Sequence, residues 1–350
     1  MRLGLYLLLI PNFKLIFPEL MQIRITKPGL LSTIQDMGRL MYFAQAVPVS
    51  GAMDKLSARM ANKAIGNVDE AAVIEFTYAT AEFIAETDIL ISYAGDGAFL
   101  QTEQLHIPAE KPVFIPRGTI VKLVNNPTGS RTYLAIAGGF DVPQVLGSRS
   151  TYLTGAFGGL EGRQLKKDDV LCAHEQLSAI SAKIMTQLKG NYIKYTRWGL
   201  SRYSFLPVNR KVIHVIPANE MSWFEAESII NFLSAPFTLS DRSNRMGYHL
   251  QGPIINRLVN EELLSTAVTP GTIQVTGHGN PLLLMADCQT TGGYPRIAQV
   301  AAVDLPLCAQ LKPGDRILFE EISLADAEML YIGRERDLQK VTTAIAGLYA

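Results

Sequence analysis

The chain has 350 residues, 48% hydrophobic and 18% charged, so it can bury a large core and exceeds the roughly 100–200 residues of a single domain. Lysine plus arginine and aspartate plus glutamate each number 32, which leaves no net field to attract nucleic acid or an anionic membrane. Cys172, Cys288 and Cys308 form no C-x-x-C pair, which argues against disulfides and a thiolate metal site and favours a reducing cytoplasm.

The first residues are apolar, but they do not fit a membrane anchor. Their apolar run is about eight residues long, against the ~20 that a spanning helix needs, and Pro11 and Lys14 interrupt it. A strand-like segment begins at Met21. We therefore expect residues 1–20 to be an extension from an upstream start site.

Short apolar runs separated by glycine, proline and asparagine fill residues 21–177, which predicts a first subdomain of antiparallel strands. One helix interrupts them, with Asp54 as its N-cap and Gly66-Asn67 as its stop signal. Residues 178–209 are polar and irregular in pattern, and we expect them to connect two subdomains.

A second set of strand-like runs fills residues 210–323 and predicts a second subdomain with one helix. Ser222 and Glu225 have the spacing of a capping box, in which the serine hydroxyl accepts from the glutamate amide, and Phe232 would then face inward. Residues 324–350 favour helix and are predicted to form a docked C-terminal cap.

Common catalytic signatures are absent from the sequence. It has no G-x-x-x-x-G-K-[ST], no G-x-G-x-x-G after a strand, no H-E-x-x-H and no G-x-S-x-G. The ordinary P-loop, Rossmann, zincin and α/β-hydrolase patterns are therefore excluded. The histidines are dispersed without metal-ligand spacing, so we predict no metal site.

Four segments are rich in polar side chains and glycine, and the first covers residues 32–54. Here Asp36, Arg39 and Ser50 could meet an anionic or amide substrate near the N-terminus of a helix, whose free amides favour anions. A capped helix with a surface ion pair is the competing explanation.

The second segment covers residues 147–163. Ser148, Arg149, Ser150 and Thr151 place hydroxyls beside a guanidinium, and the glycines that follow let backbone amides approach an oxyanion or phosphate. A glycine-rich loop between strands explains the composition equally well, because the fixed spacing of a phosphate-binding motif is missing.

The third segment contains Asp241, Asn244 and Arg245, and a guanidinium there could bind a carboxylate or phosphate in bidentate fashion. Alternatively, Asp241 pairs with a neighbouring arginine at the surface.

The fourth segment follows an apolar strand and is the strongest candidate for ligand contact. Its binding residues are Gln289, Thr290, Thr291, Gly292, Gly293 and Tyr294. Cys288 has no neighbouring histidine and is interpreted as a bystander.

Six blocks of the sequence also resemble a known family, among them PGLLSTIQDMGR, VPVSGAMDKLSARMANKAIGN, SNRMGYHLQGP and ADCQTTGGYPRIAQVAAVDLPLCAQLKPGD. They are similar to the family of allophanate hydrolase subunit 2 and the C subunit of 5-oxoprolinase (Kip-inhibitor antagonists), whose members resemble the carboxyltransferase A/B domain of urea carboxylase. The resemblance implies a mainly β fold with two cyclophilin-like β-barrel subdomains.

The same resemblance implies a function and partners. Family members work with a subunit-1-like protein (the B subunit of 5-oxoprolinase, or Kip-inhibitor type) and with an A subunit of the lactam-utilisation type. The implied reaction is ATP-dependent hydrolysis of 5-oxo-L-proline, a small cyclic amide, to L-glutamate, with ATP bound here or on a partner. One alternative is biotin-dependent carboxyl transfer to urea. Another is a non-enzymatic antagonist of a kinase inhibitor, which acts by binding the subunit-1-like protein.

Together, the residues and the resemblance suggest a working mechanism. Gln289 as a catalytic group, with Thr290 and Thr291, would hydrogen-bond the lactam. Arg39 and Arg245 would hold its carboxylate or a phosphate.

Proton transfer would fall to Asp36 or Asp241, a role that requires a pKa shifted by the surrounding pocket. One departure from the family pattern weakens the assignment of an anion site nearby. Cys288 stands where an arginine is usual, and Arg245 or Arg296 could substitute for it.

Overall fold

The computed structural model describes residues 20–103, 105–259 and 263–350, so the predicted extension over residues 1–20 lies outside them apart from Leu20. Strands are the main regular element of the described chain, with five α-helices between and after them. The mainly β class predicted from the sequence is confirmed.

Two six-stranded sheets make up the first half of the chain. Their strands are β1 (Gln22–Pro28), β2 (Leu31–Gln35), β3 (Val73–Thr77), β4 (Ala81–Ala85), β5 (Ile89–Gly95), β6 (Ala98–Gln101), β7 (His106–Ile107), β8 (Val113–Ile115), β9 (Ile120–Asn125), β10 (Arg131–Ile136), β11 (Val170–Cys172) and β12 (Lys194–Tyr195). The strand orders are β11-β1-β4-β9-β6-β7 and β12-β8-β5-β10-β3-β2. Both sheets contribute to one core, which includes Ile23, Phe83 and Leu134.

Helix α1 (Lys55–Ala64) packs across β5 and β10, which explains why those two strands are buried along their whole length. The predicted start is confirmed, because the Asp54 side chain accepts a hydrogen bond from the amide of Ser57 over 2.8 Å. Met60 lies on its buried face. The predicted stop is also confirmed, since Gly66 follows with a φ of 77°, a left-handed conformation that suits glycine.

A closed barrel of seven strands forms the second half. The strands there are β13 (Val212–Pro217), β14 (Phe237–Leu239), β15 (Gly247–Gln251), β16 (Thr266–Ala267), β17 (Thr272–Val275), β18 (Pro281–Leu284), β19 (Thr291–Gly292), β20 (Arg296–Val300) and β21 (Arg316–Glu321). The barrel order is β13-β20-β17-β18-β15-β14-β21, and β13 closes it by pairing in parallel with β21. Strands β16 and β19 form a separate ribbon.

Two helices accompany the barrel, α3 (Ala226–Ser234) and α4 (Leu305–Gln310). Phe232 of α3 stacks on Phe319 with ring centroids 4.6 Å apart, and Phe237 packs against both rings. These three rings are fully buried, and they attach α3 to the barrel core.

The predicted capping box at Ser222 is wrong. Residues 221–223 form a short 3-10 helix, and α3 begins only at residue 226 with no side-chain cap. The amide of Glu225 donates to the carbonyl of Asn256 over 3.1 Å instead of to the serine hydroxyl. Long-range pairing of this segment therefore overrides the local capping signal.

The segment 178–209, expected to be irregular, contains helix α2 (Ala179–Leu188) and strand β12. Ile184 and Leu188, four residues apart, are buried in the core of the first half, and β12 pairs with β8. This apolar spacing within a polar segment fits a short amphipathic helix.

The chain ends in the long helix α5 (Leu324–Leu348), which Ser323 caps. Its residues Leu338 and Ile345 are buried, and its Glu335 accepts two hydrogen bonds of 2.7 Å from Arg59 of α1. Across the described ranges, α5 and the other helices lack the combination of length and apolarity that crossing a membrane requires.

Candidate functional site between the two halves

A cavity of about 420 Å³ lies where α1, the barrel and α5 meet. Ser50, Lys55 and Arg59 contribute to its wall from the first half, and Tyr331 and Arg334 contribute from α5. The barrel supplies apolar wall residues, among them Pro270, Met285, Ala286, Leu305 and Pro306. The cavity is therefore built from three parts of the chain that are distant in sequence.

The loop that leads into this cavity is held in place by Asp36. Its carboxylate accepts hydrogen bonds from the Ser148 hydroxyl and the Arg149 amide at 2.6 Å, from the Gly38 amide at 2.8 Å, and from the Ser150 hydroxyl. Four donors match the number of acceptor positions that a carboxylate offers. Asp36 is thus placed as a structural anchor between the first and second polar segments, rather than as an open acid or base.

Arg39 is also enclosed by protein, at 1% exposed. Its guanidinium donates to the carbonyls of Val145 and Ser150 and lies 4.8 Å from the ring centroid of Phe157. Burial lowers the pKa of Arg39, an effect that the nearby carboxylates Asp36 and Asp287 partly offset. One terminal nitrogen, Nη1, has no hydrogen-bond partner in the described structure.

The second polar segment forms hydrogen bonds with the first instead of forming an open anion-binding site. The Thr151 hydroxyl and amide both donate to the carbonyl of Ile34, at 3.0 and 2.9 Å. The Arg149 side chain donates to the carbonyl of Val142 over 3.1 Å. The hydroxyls of Ser148 and Ser150 are engaged by Asp36. The three hydroxyls and the Nε–H of Arg149 are therefore used within the protein.

Arg245 lies in a buried ionic network between the two halves. It donates to Asp287 at 2.8 and 3.0 Å, to the carbonyl of Gly51 at 2.7 Å, and to Glu75 of β3. Burial by itself would raise the pKa of Glu75, but Arg245 and Arg131 hold it below its ordinary value. All the ionic partners of Arg245 are protein carboxylates, so this geometry favours a structural role over the predicted contact with substrate.

The other predicted residues of the third segment are exposed. Asp241 accepts one hydrogen bond, from the Ser240 hydroxyl at 3.2 Å, and Asn244 accepts from the amide of Met246 within a turn. Neither residue contributes to the wall of the cavity. The structure does not bring Asp241 together with Asp36.

The fourth segment follows Met285 and Ala286 of the cavity wall, but its own predicted residues lie outside the wall. Thr291 and Gly292 form β19 and pair with β16, while Thr290 is buried and its carbonyl accepts from the amide of Val268. Tyr294 is 47% exposed. The remaining predicted residues, half-buried Gln289 and exposed Gly293, lie on either side of β19. None of these side chains contributes to the cavity wall.

Ser50 is the one predicted binding residue that lines the cavity. Its amide donates to the carbonyl of Ala286 over 2.9 Å, which fixes the loop against the barrel. Lys55 and Arg59 were missed by the sequence reasoning, although their spacing of four residues on a predicted helix places them on one face. No sequence pattern predicts that Arg334 contributes to the same cavity, because α5 and α1 are far apart in the sequence.

The described residues hold no group of three or more histidine, cysteine or acidic side chains with the geometry of a metal site. Cys288 and Cys308 are buried, and burial raises the pKa of the Cys288 thiol to about 12. A thiol in that state is a poor nucleophile near neutral pH.

Residues 45–321 match the family described as carboxyltransferase domain, subdomain A and B. The chain belongs to this family. It is 36% identical over 305 residues to the C subunit of 5-oxoprolinase from Escherichia coli (strain K12), a match that covers 87% of this chain and 93% of that protein. It is 34% identical over 305 residues to the corresponding 5-oxoprolinase protein of Haemophilus influenzae, covering 85% and 91% respectively.

A protein whose structure is similar to this chain has also been solved in crystals. The Kluyveromyces lactis urea carboxylase matches with a TM-score of 0.81 and 28% identity, over 91% of this chain and 29% of that one. The family predicted from the sequence blocks is therefore confirmed. The family match ends at residue 321, so the contributions of α5 to the cavity lie outside it.

Proposed function

We propose that this carboxyltransferase-family chain is part of a multi-subunit, ATP-dependent 5-oxoprolinase, which hydrolyses the ring amide of 5-oxo-L-proline to give L-glutamate. Support comes from the similarity to the C subunit of 5-oxoprolinase, which extends over 93% of the Escherichia coli protein. The proposal includes a cytoplasmic location and two partners, a subunit-1-like protein and an A subunit of the lactam-utilisation type.

The cavity between the halves is the observation that carries the assignment of a small-molecule site. Its volume of about 420 Å³ falls within the roughly 300–1,000 Å³ typical of ligand pockets. Apolar side chains make up most of the wall, and the polar and charged ones include Ser50, Lys55 and Arg334. Such a lining suits a compact ring with one charged substituent. Because its walls come from both halves and from α5, its shape depends on their packing.

The chemistry explains why ATP is needed. Hydrolysis adds water to the amide carbonyl carbon and breaks the ring C–N bond, and an unactivated lactam resists this. Phosphoryl transfer from ATP to the amide oxygen would leave ADP and make the carbon electrophilic. Addition of water, loss of phosphate and cleavage of the C–N bond would then give L-glutamate. The chain has no P-loop signature, so we place ATP on a partner protein and assign to this chain the binding and orientation of the lactam.

A second candidate is a biotin-dependent carboxyltransferase component of a urea carboxylase or allophanate hydrolase system. It is favoured by the match to the Kluyveromyces lactis urea carboxylase, of which this chain spans 29%. Here biotin would be carried by another chain, and the substrate would be neutral urea. The non-enzymatic antagonist of a kinase inhibitor predicts the same subunit-1-like partner but no turnover.

The test is ADP release that depends on 5-oxo-L-proline, measured with this chain and both candidate partners, each omitted in turn. We expect turnover only when all three are present. Gln289→Ala serves as a control for the fourth polar segment. A loss of activity in this variant would show that the segment contributes to the active site. Carboxylation of urea that needs biotin and bicarbonate would select the second candidate. A tight complex without either reaction would select the antagonist.

A further inference from the structure

Ser50 combines two unfavourable features at the cavity wall. Its φ of 53° lies in the left-handed region that residues with a side chain rarely adopt. The residue is 1% exposed, and its hydroxyl has no hydrogen-bond partner among the residues described. Buried hydroxyls are almost always paired, and strained backbone is concentrated at functional sites. Both features indicate that the fold keeps this hydroxyl available for a ligand.

Lys55 is the second unpaired polar group of the cavity. It is half-buried at the first position of α1, and no described residue forms a hydrogen bond or ion pair with its ammonium. Its position at the positive end of the helix dipole adds to the local positive potential. A cation in a cavity that has no ion-pair contact can bind an anion.

Most other charged groups of the wall have protein partners, although exposed Glu70 has no ion pair in the described structure and the Nε–H of Arg334 is unpaired. Arg59 pairs with Asp69 and Glu335, and Arg334 donates to the carbonyls of Ala302 and Val303. Lys63 pairs with Asp69 as well. The remaining titratable groups around the ammonium are Asp36, whose carboxylate is saturated, and Glu70 and Tyr331 of the cavity wall.

We infer that the Ser50 hydroxyl and the Lys55 ammonium form a subsite for the carboxylate of the substrate, so that the cavity selects small anionic amides over neutral ones such as urea. The inference rests on the proposed function for the identity of the amide, and it deepens that proposal by naming the group that distinguishes the two candidate substrates. Ser50 would donate one neutral hydrogen bond and Lys55 one charge-assisted hydrogen bond.

The pH dependence of binding has a definite sign. Burial lowers the pKa of Lys55 below its ordinary value of 10.5, and Asp36 offsets this only in part. A bound carboxylate stabilises the charged ammonium and raises that pKa again. Affinity for the anion is therefore highest at pH values where Lys55 is protonated and the ligand carboxylate is ionised, and it falls as the pH rises through the lowered pKa of Lys55. Binding near that pKa takes up a proton.

The experiment is calorimetric titration of the full chain with 5-oxo-L-proline, with the neutral lactam 2-pyrrolidinone and with inorganic phosphate. Lys55→Met removes the charge at similar length, Lys55→Arg retains it, and Ser50→Ala removes the hydroxyl. Lys340→Met, on the exposed part of α5, is the matched control. Two buffers with different heats of ionisation report the proton uptake.

We expect 5-oxo-L-proline to bind more tightly than the neutral lactam, and Lys55→Met to weaken its binding about tenfold or more, because a charge-assisted hydrogen bond is lost. Lys55→Arg and Lys340→Met should stay near wild type, and the neutral lactam should not respond to Lys55→Met. Unchanged binding by Lys55→Met, equal binding of the two lactams, or no binding to the wild type overturns the inference. Preference for phosphate overturns the assignment to a carboxylate.

The two proposals fail separately. If the assembled complex turns over 5-oxo-L-proline with the same KM for wild type and Lys55→Met, the proposed function stands and the subsite is refuted. If Lys55 governs binding of small carboxylates but no mixture of the partners consumes 5-oxo-L-proline, the subsite stands and the proposed function is refuted.

Discussion

Replacing Arg245 by leucine tests whether this arginine holds the two halves together or binds substrate. Its side chain is 7% exposed, and its ionic partners Glu75 and Asp287 are 1% and 6% exposed. Removing one partner of a buried ion pair costs about 3–5 kcal/mol, because the other charge stays buried without compensation.

The two carboxylates are affected unequally by this change. Glu75 keeps the Tyr133 hydroxyl at 2.8 Å, the Met53 amide at 2.9 Å and Arg131 at 3.8 Å. Asp287 loses its whole ion pair with Arg245. We therefore expect a loss near that of one complete buried pair, about 3–5 kcal/mol in the free energy of unfolding.

Urea unfolding followed by circular dichroism and tryptophan fluorescence measures the effect. Trp198 lies in the first half and Trp223 beside the barrel, so fluorescence reports on both. The matched control is Arg242→Leu, an exposed arginine in the same loop, which should change stability by less than about 0.5 kcal/mol. Adding Asp287→Asn to Arg245→Leu should cost less than the sum of the single effects, because the residues are in contact. A stable Arg245→Leu protein that has lost only lactam binding would refute the structural role.

Two further predictions follow from the same buried groups. Asp36→Asn places an amide NH₂ among four hydrogen-bond donors. It should therefore lower the free energy of unfolding by about 1–3 kcal/mol, measured by thermal or urea unfolding. Normal stability with a large loss of kcat would instead make Asp36 a catalytic group. Of the three thiols, only half-buried Cys172 should react quickly with a disulfide reagent at pH 8, because burial raises the pKa of Cys288 to about 12 and that of Cys308 further. Fast reaction of all three in the folded protein would contradict the burial.

Local patterns in the sequence were enough to predict several structural features correctly. Asp54 and Gly66 correctly marked the two ends of α1, because capping and a left-handed stop involve residues within one helical turn. The glycine-punctuated apolar runs correctly indicated a mainly β chain, and the ordered blocks of residues identified the family. Ser222 failed as a cap because the neighbouring Phe224 forms a β-bridge with Arg257, a partner that no local pattern contains.

The candidate site depended on the tertiary structure. The sequence could indicate that Arg39, Arg245 and Asp36 are polar groups in glycine-rich segments, but it could not show that protein partners already surround them. It also separated Lys55 from Arg334 by most of the chain, although both contribute to one cavity. The physical reason is that hydrogen bonds and ion pairs are decided by which groups meet after folding. The sequence alone determined the family and several local elements, whereas the packing of α1, the barrel and α5 decided which polar groups remain free for a ligand.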